Sequence, residues 1–433
     1  MTIEQLYQIY LKHPVISTDT RKIMPGSIFF ALKGDKFDAN TFADQAIAVG
    51  AAYAVIDNAA YQISDKHILV DDVLTTLQNL ARYHRSQLNI PVIGLTGSNG
   101  KTTTKELINS VLGQHFKTYA TIGNLNNHIG VPLTLLAIKK DVEAAIIEMG
   151  ANHQKEIELL SSICQPTHGL ITNVGRAHLE GFGGREGVKK GKGELFDYLK
   201  ASGGTAFVNA DSEVLPGMVK ERGMTDVIYY GTNESNTVSG ALLENAPFLK
   251  LQWKLHGGQY HTVQSQLTGA YNLDNILAAV CIGHYFKLSV SEIKRGIESY
   301  APTNNRSQIV KTKTNTLICD YYNANPSSML VAIENMAQLD FPHKVLILGD
   351  MFELGDDGPA EHATVIDKAM STPADQHIFI GEQFFQQKGI TNATFYHTAD
   401  DAIAALKAQP VTNAAVLIKG SRGMALERLT ELF

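Results

Sequence analysis

The stretch Gly94-Leu95-Thr96-Gly97-Ser98-Asn99-Gly100-Lys101-Thr102-Thr103-Thr104 decides how this chain is read. It follows the apolar run 92–95, which suits a strand, and opens the helical pattern 101–115. Strand, glycine turn and helix in that order are the setting of a phosphate-binding loop. The glycines let backbone N–H groups turn toward an anion, and the helix N-terminus adds partial positive charge. Gly97, Ser98, Asn99, Gly100 and Thr103 would form the cradle, Lys101 would reach the outer phosphates, and the Thr102 hydroxyl would ligate Mg²⁺. Leu95 stands where the common loop has its first glycine, so this is the shorter form, residues 97–101.

Outward from the loop, strand and helix patterns alternate. Strand-like runs at 144–148, 169–173 and 205–209 are separated by helical patterns at 154–163 and 186–200, which argues for a parallel sheet covered on both faces. Residues 226–268 read as β-hairpin material, and a long helix is expected over 272–286. Upstream, the runs 27–32 and 51–56 with helical patterns at 41–49 and 73–88 describe a small α/β unit that ends near 87–91. Downstream of a polar, proline-containing stretch at 301–305, a second alternating unit has strands at 316–320, 344–348, 377–380 and 415–419. The expectation is an α/β protein of three domains, 1–88, 89–304 and 305–433, the middle one a parallel-sheet domain with an added β-rich segment. A length of 433 residues agrees with three units at about 150 residues each.

Composition narrows the class. Hydrophobic content is 44% and charged content 18%, which excludes a disordered or fibrous chain. With 37 basic and 43 acidic residues the net charge is −6, so no global field attracts nucleic acid, and any polyanion must meet a local basic site. Cys164, Cys281 and Cys319 are odd in number and lack CxxC spacing, as expected of reduced core thiols in a cytoplasmic protein. The first residues lack the apolar core of a signal peptide, and no long uncharged apolar run suggests a membrane span.

Three further segments carry chemistry. Glu148 ends a strand-like run, where an open parallel sheet presents residues to ligand, and one carboxylate plus phosphates suits Mg²⁺. His178 sits past another strand end, in Thr172-Asn173-Val174-Gly175-Arg176-Ala177-His178-Leu179-Glu180; by residue type alone it reads as a core or surface histidine, and His153 as structural. Lys189-Lys190-Gly191-Lys192-Gly193-Glu194-Leu195-Phe196 reads on charge alone as a solvated helix face. Gly269-Ala270-Tyr271-Asn272-Leu273-Asp274-Asn275 reads equally as a helix cap.

Together these segments resemble, in order and over essentially the whole chain, the Mur ligase family, ATP-dependent amide-forming enzymes of peptidoglycan precursor synthesis. Within it the chain is similar to the branch that joins D-alanyl-D-alanine to a UDP-N-acetylmuramoyl-tripeptide. The marks are Gly123-Asn124-Leu125-Asn126-Asn127-His128, Glu148-Met149-Gly150-Ala151-Asn152-His153, Tyr322-Asn323-Ala324-Asn325-Pro326 and Leu348-Gly349-Asp350-Met351-Phe352-Glu353-Leu354-Gly355. The Asp-Asn-Pro-Arg box of the diaminopimelate-adding sister is missing from the sequence. Two departures are visible: Ala39 stands where glycine is usual, and Cys319-Asp320-Tyr321-Tyr322 replaces Asp-Asp-Ser-Tyr.

The resemblance implies a UDP-binding N-terminal domain, a central ATPase domain and a Rossmann-like C-terminal domain. It implies ATP and two Mg²⁺ ions as cofactors, with Lys192 carbamylated by CO₂ and so turned from a cation into an oxygen donor. Glu148, His178, Lys192 and Thr102 would serve the metals, with Lys101, Lys192, His178 and Glu148 as catalytic groups. Asn272 and Asn275 would meet adenine, and Arg306 and Asp320 phosphate and ribose. Ser17, Thr18, Asp19, Arg21 and Lys33 would meet the uridine end, and Asn126, Asn127, Asn323, Asn325, Lys419 and Arg422 the peptide substrates. The implied partners are UDP-MurNAc-tripeptide and D-Ala-D-Ala, with no nucleic acid and a monomeric state. Two alternatives remain open: a sister or folylpolyglutamate-type ligase, and a non-enzymatic phosphate-loop module.

Overall fold

A computed structural model describes residues 1–176, 178–389 and 392–433. Ala177, within the His178 segment, lies outside the described residues. Three sheets organise the chain. The first has four parallel strands in the order Ile16–Ser17, Ile28–Phe30, Tyr53–Ile56 and His67–Leu69. Asp72 then caps the helix Val73–Ser86 by accepting from the Thr75 N–H at 2.7 Å. That helix docks on the second unit. The Arg85 guanidinium is buried and donates to the Cys164 and Gln165 carbonyls, each at 3.0 Å, which satisfies the C-terminus of the helix Glu156–Cys164 from across the boundary. Leu77, Leu80 and Ala81 join one core cluster with Leu135, Ile157 and Leu160.

The second sheet has nine strands. Seven are parallel, in the order Val238–Glu244, Val227–Gly231, Thr205–Asn209, His168–Ile171, Val92–Thr96, Ala144–Glu148 and Thr118–Ala120. Lys250–Leu255 and His261–Gln264 extend it antiparallel. The expectation of hairpin material across 226–268 needs correction. Val227–Gly231 pairs parallel with Thr205–Asn209, because the helix Leu215–Glu221 supplies a crossover between them, and only the strands after it form hairpins. Strand order reverses around Val92–Thr96: the chain crosses to Thr118–Ala120 and returns through Ala144–Glu148 on one side, then moves to His168–Ile171 on the other. The crevice at such a reversal is where open α/β sheets bind ligands.

The third sheet sets Gln308–Lys311 antiparallel on Thr316–Asp320, followed by the parallel strands Ala415–Lys419, Lys344–Gly349, Gln376–Ile380 and Thr394–Tyr396. Cys164, Cys281 and Cys319 are buried free thiols. Among the described residues no helix is long and apolar enough to cross a membrane.

Candidate active site

The strand Val92–Thr96 is fully buried and aims its C-terminal end at the turn that starts the helix Lys101–Leu112. Two glycines make the turn possible. Gly97 has φ +149° and an added Cβ would lie 1.9 Å from the Thr172 Oγ1; Gly100 has φ +77° and packs against the Asn275 amide. Ser98 and Asn99 tie the loop to the next strand end: the Asn99 N–H donates to the Asn173 side chain at 3.0 Å, and the Gly175 N–H to the Ser98 hydroxyl at 2.9 Å. Lys101 curls over the loop and donates to the Gly97 and Ser98 carbonyls at 2.7 and 3.1 Å. Burial pushes its ammonium down to about 8, with the Glu148 carboxylate opposing.

Beside the lysine, the Thr102 hydroxyl donates to one oxygen of Glu148 at 2.9 Å, and the Asn126 amide donates to the other at 2.8 Å. Thr102 and Glu148 are both buried. A hydroxyl and a carboxylate are hard oxygen donors of the kind Mg²⁺ takes, with phosphate and water completing its shell. Among the described residues no three His, Cys, Asp or Glu side chains form a cage of their own.

His178 and Lys192 stand apart from that pair. His178 has φ +53° and its Nδ1 pairs with Glu353 of the third unit; burial lowers its basicity, and Glu353 opposes the effect. Lys192 is 2% exposed, donates to the Ala151 carbonyl at 3.2 Å, and lies 4.9 Å over the Phe182 ring. Burial first, and the Lys101 charge second, hold its amine well below the ordinary lysine range. It is a buried amine, not the solvated helix face that charge alone suggests.

Lys101, Glu148 and His178 open on a cavity of about 790 Å³ between the second and third sheets, while Thr102 and Lys192 are not part of its lining. Ser98, Asn99, Gly100, Lys101, Thr103, Asn126, Asn127 and Glu148 line it from one side, and Arg306, Asp320, Asn323, Asn325 and Lys419 from the other. Asn272 and Asn275 line it as well. Asn275 accepts from the Thr104 hydroxyl at 2.9 Å and donates to Asn272 at 2.8 Å. Lys419 is 1% exposed, and its ammonium is engaged by Asp320 at 2.7 Å and the Asn323 carbonyl at 3.3 Å. Arg422 lines an adjoining cavity of about 200 Å³ that shares His178, Asn323 and Asn325 with the larger one.

The uridine-end candidates lie elsewhere, in the first unit: Ser17 on its four-stranded sheet, Thr18, Asp19 and Arg21 at the turn after it, and Lys33 on a separate two-stranded ribbon with Phe37–Asp38. Asp19 pairs with Arg21 at 2.8 Å, Lys33 with Asp57 at 2.8 Å, and Ser17 donates to the Asp19 carbonyl; these, with Thr18, do not line the large cavity.

Sequence reading named Asn99 and Asn325 but not that they meet, and it missed the other contacts that join the second and third units. The Asn325 amide donates to the Asn99 side chain at 2.8 Å, and Arg176 pairs with Glu361 at 3.0 Å. Glu353, on the His178 ring, carried no local signal beyond its place in a quoted segment.

Family models match along the chain: the Mur ligase family catalytic domain over residues 14–89, the Mur ligase middle domain over 95–283, and the Mur ligase glutamate ligase domain over 305–422. A UDP-N-acetylmuramoyl-tripeptide--D-alanyl-D-alanine ligase from Escherichia coli (strain K12) is 36% identical over 433 residues, covering 96% of this chain and 92% of that protein. The ligase of the same description from Bacillus subtilis (strain 168) is 34% identical over 431 residues, with the same coverage of 96% and 92%. A crystal structure of MurF from Acinetobacter baumannii superposes with a TM-score of 0.89 at 31% identity, covering 99% of this chain and 98% of that one. MurF ligase from Thermotoga maritima in complex with ADP gives a TM-score of 0.85 at 25% identity, covering 98% and 97%.

Proposed function

The chain belongs to the Mur ligase family, and from that premise we propose that it joins D-alanyl-D-alanine to a UDP-N-acetylmuramoyl-tripeptide, with ATP converted to ADP and phosphate. The observation that carries the reading is the match, end to end, to relatives of that one activity, in a chain whose phosphate loop faces a buried carboxylate across an interdomain cleft.

The proposed reaction has two steps. A tripeptide carboxylate oxygen attacks the γ-phosphorus, and the bond to the bridging oxygen breaks to release ADP. The dipeptide amine then attacks the acyl carbon, loses a proton, and the C–O bond breaks to release phosphate. Two anions must approach in the first step, and Lys101 at the loop supplies fixed positive charge that offsets their repulsion. Bound Mg²⁺ would supply further charge neutralisation at the phosphates. Thr102 and Glu148 would hold one such ion, and His178 with a modified Lys192 a second. Lys192 fits that role in one respect: burial lowers its basicity and so favours the neutral amine, the form that adds to CO₂, losing a proton as the N–C bond forms. Contacts across the cleft, Asn325 to Asn99 and Glu353 to His178, would exclude water from the acyl phosphate. Asn272 and Asn275 are assigned to the base, Arg306 and Asp320 to phosphate and ribose, and Ser17, Thr18, Asp19, Arg21 and Lys33 to the uridine end, as the family resemblance implies. The functional units proposed are 1–88, 89–304 and 305–433, acting as a cytoplasmic monomer.

The test is product analysis by mass spectrometry with ATP, D-Ala-D-Ala and the UDP-tripeptide carrying either diaminopimelate or lysine at its third position. A pentapeptide product that needs all three substrates is expected. Amide formation with a single amino acid instead would transfer the assignment to a sister ligase.

A further inference from the structure

Tyr322 lies two residues past the strand end at Asp320, is half-buried, and lines the large cavity. Two guanidinium groups approach its ring: the central carbon of Arg306 at 3.9 Å from the centroid and that of Arg422 at 5.2 Å. Arg422 also brings Nη1 to 3.5 Å from the Tyr322 hydroxyl. The two arginines serve different spaces, since Arg306 lines the 790 Å³ cavity and Arg422 the 200 Å³ one.

Arg306 is held at both flanks. Asn305 and Ser307 have φ of +56° and +50°, and the Ser307 N–H donates to Asp320 at 3.2 Å. The backbone therefore fixes where the side chain starts, while the Arg306 Nε is buried with no hydrogen-bond partner. A guanidinium that lies against an aromatic face keeps its in-plane N–H donors free for an anion. The small cavity sets Phe352, Leu354 and Ala324 beside Ser421 and Arg422, and the carboxylate in its lining, Glu353, is paired with His178, so Arg422 is the cation a short peptide carboxylate would meet there.

We infer that Tyr322 is a positioning residue whose single ring presets Arg306 for the nucleotide phosphates and Arg422 for the free carboxylate of the incoming dipeptide. The inference rests on the proposed function for the second of those ligands. It makes the ring a shared anchor for two substrates that enter from different sides, so its loss weakens both and spares the third.

The experiment compares Tyr322→Leu, which removes the π face, with Tyr322→Phe, which keeps it. In Tyr322→Leu the KM for ATP and the KM for D-Ala-D-Ala each rise roughly tenfold, the energy range of a partly desolvated cation–π contact. The KM for the UDP-tripeptide and the melting temperature stay at the wild-type values. In Tyr322→Phe the ATP value returns to wild type, and the dipeptide value rises only about threefold, from the lost hydroxyl contact. Combining Tyr322→Leu with Arg422→Ala raises the dipeptide KM no further than Arg422→Ala alone. A Tyr322→Leu enzyme with unchanged KM values, a loss confined to kcat, or a Tyr322→Phe enzyme as weak toward ATP as Tyr322→Leu would overturn the inference. ADP affinity measured by calorimetry separates this from the assignment of the reaction. If wild type forms no pentapeptide, the reaction assignment fails, yet weaker ADP binding in Tyr322→Leu with recovery in Tyr322→Phe still upholds the Arg306 anchor, and equal binding in all three rejects it.

Discussion

Replacing Asp320 by alanine strands a cation in the interior of the C-terminal sheet. Asp320 and Lys419 stand opposite each other on neighbouring parallel strands, their side chains 16% and 2% exposed, with the ammonium 2.7 Å from the carboxylate. Removing one partner of a buried pair costs about 3–5 kcal/mol, because the remaining charge is left without water or counter-ion. Asp320→Ala also takes the acceptor from the Ser307 N–H, worth about 1 kcal/mol. Lys419 keeps the Asn323 carbonyl at 3.3 Å, which places the total near 3 kcal/mol. Lys419→Met leaves the more exposed carboxylate behind and costs less, about 1–2 kcal/mol. The double variant Asp320→Ala with Lys419→Met removes both charges and recovers most of the loss, costing about 1 kcal/mol, so the coupling energy is about 3–4 kcal/mol. The assay is native-state hydrogen exchange of the strands Thr316–Asp320 and Ala415–Lys419 in the four proteins, which reads the stability of this unit separately from the others. An Asp320→Ala cost below about 1 kcal/mol, or a double variant as unstable as the sum of the singles, would mean that the two charges are not a coupled buried pair.

Lys101→Ala removes the loop's charged contact and should lower kcat by on the order of 10²-fold or more with the melting temperature retained, read by steady-state ATP turnover. Gly97→Ala forces a Cβ to within 1.9 Å of the Thr172 hydroxyl at a φ of +149°, so ADP binding by calorimetry should fall by more than tenfold. His168, half-buried against Phe207 and Tyr285, has its basicity pushed down to about 4. The unfolded chain therefore binds the proton first, and stability should fall as pH drops from about 6.5 toward 4, by up to about 2 kcal/mol; His168→Gln should flatten that limb in urea unfolding.

The phosphate loop was legible because strand, glycine turn and helix are contiguous over residues 92–112, and the sheet's order reversal puts that turn at the crevice. Glu148 was legible for the same local reason, as the last residue of a buried strand. Very short edge strands such as Ile16–Ser17, Thr118–Ala120 and Thr394–Tyr396 escaped, since two or three residues display no period. Val227–Gly231 was misassigned to a hairpin because the seven-residue helix before it is too short to announce a crossover. What remained hidden depends on how whole units dock. Arg85 on the Cys164 and Gln165 carbonyls, Asn325 on Asn99, and Glu353 on His178 join residues 79 to 226 positions apart, and no spacing rule reaches that far. Lys192 was marked by resemblance alone: its charge pattern reads as surface, and only the packing of Phe182 and the Ala151 segment around it makes it a buried amine.

In the proposed reaction a peptide carboxylate oxygen passes through an acyl phosphate into the released phosphate. Preparing the UDP-MurNAc-tripeptide with ¹⁸O in its terminal carboxylate, and analysing the phosphate released during ligation to D-Ala-D-Ala by mass spectrometry, follows that oxygen directly. One labelled oxygen in the phosphate is expected for each amide bond formed from fully labelled substrate. Unlabelled phosphate released in step with the pentapeptide would contradict it.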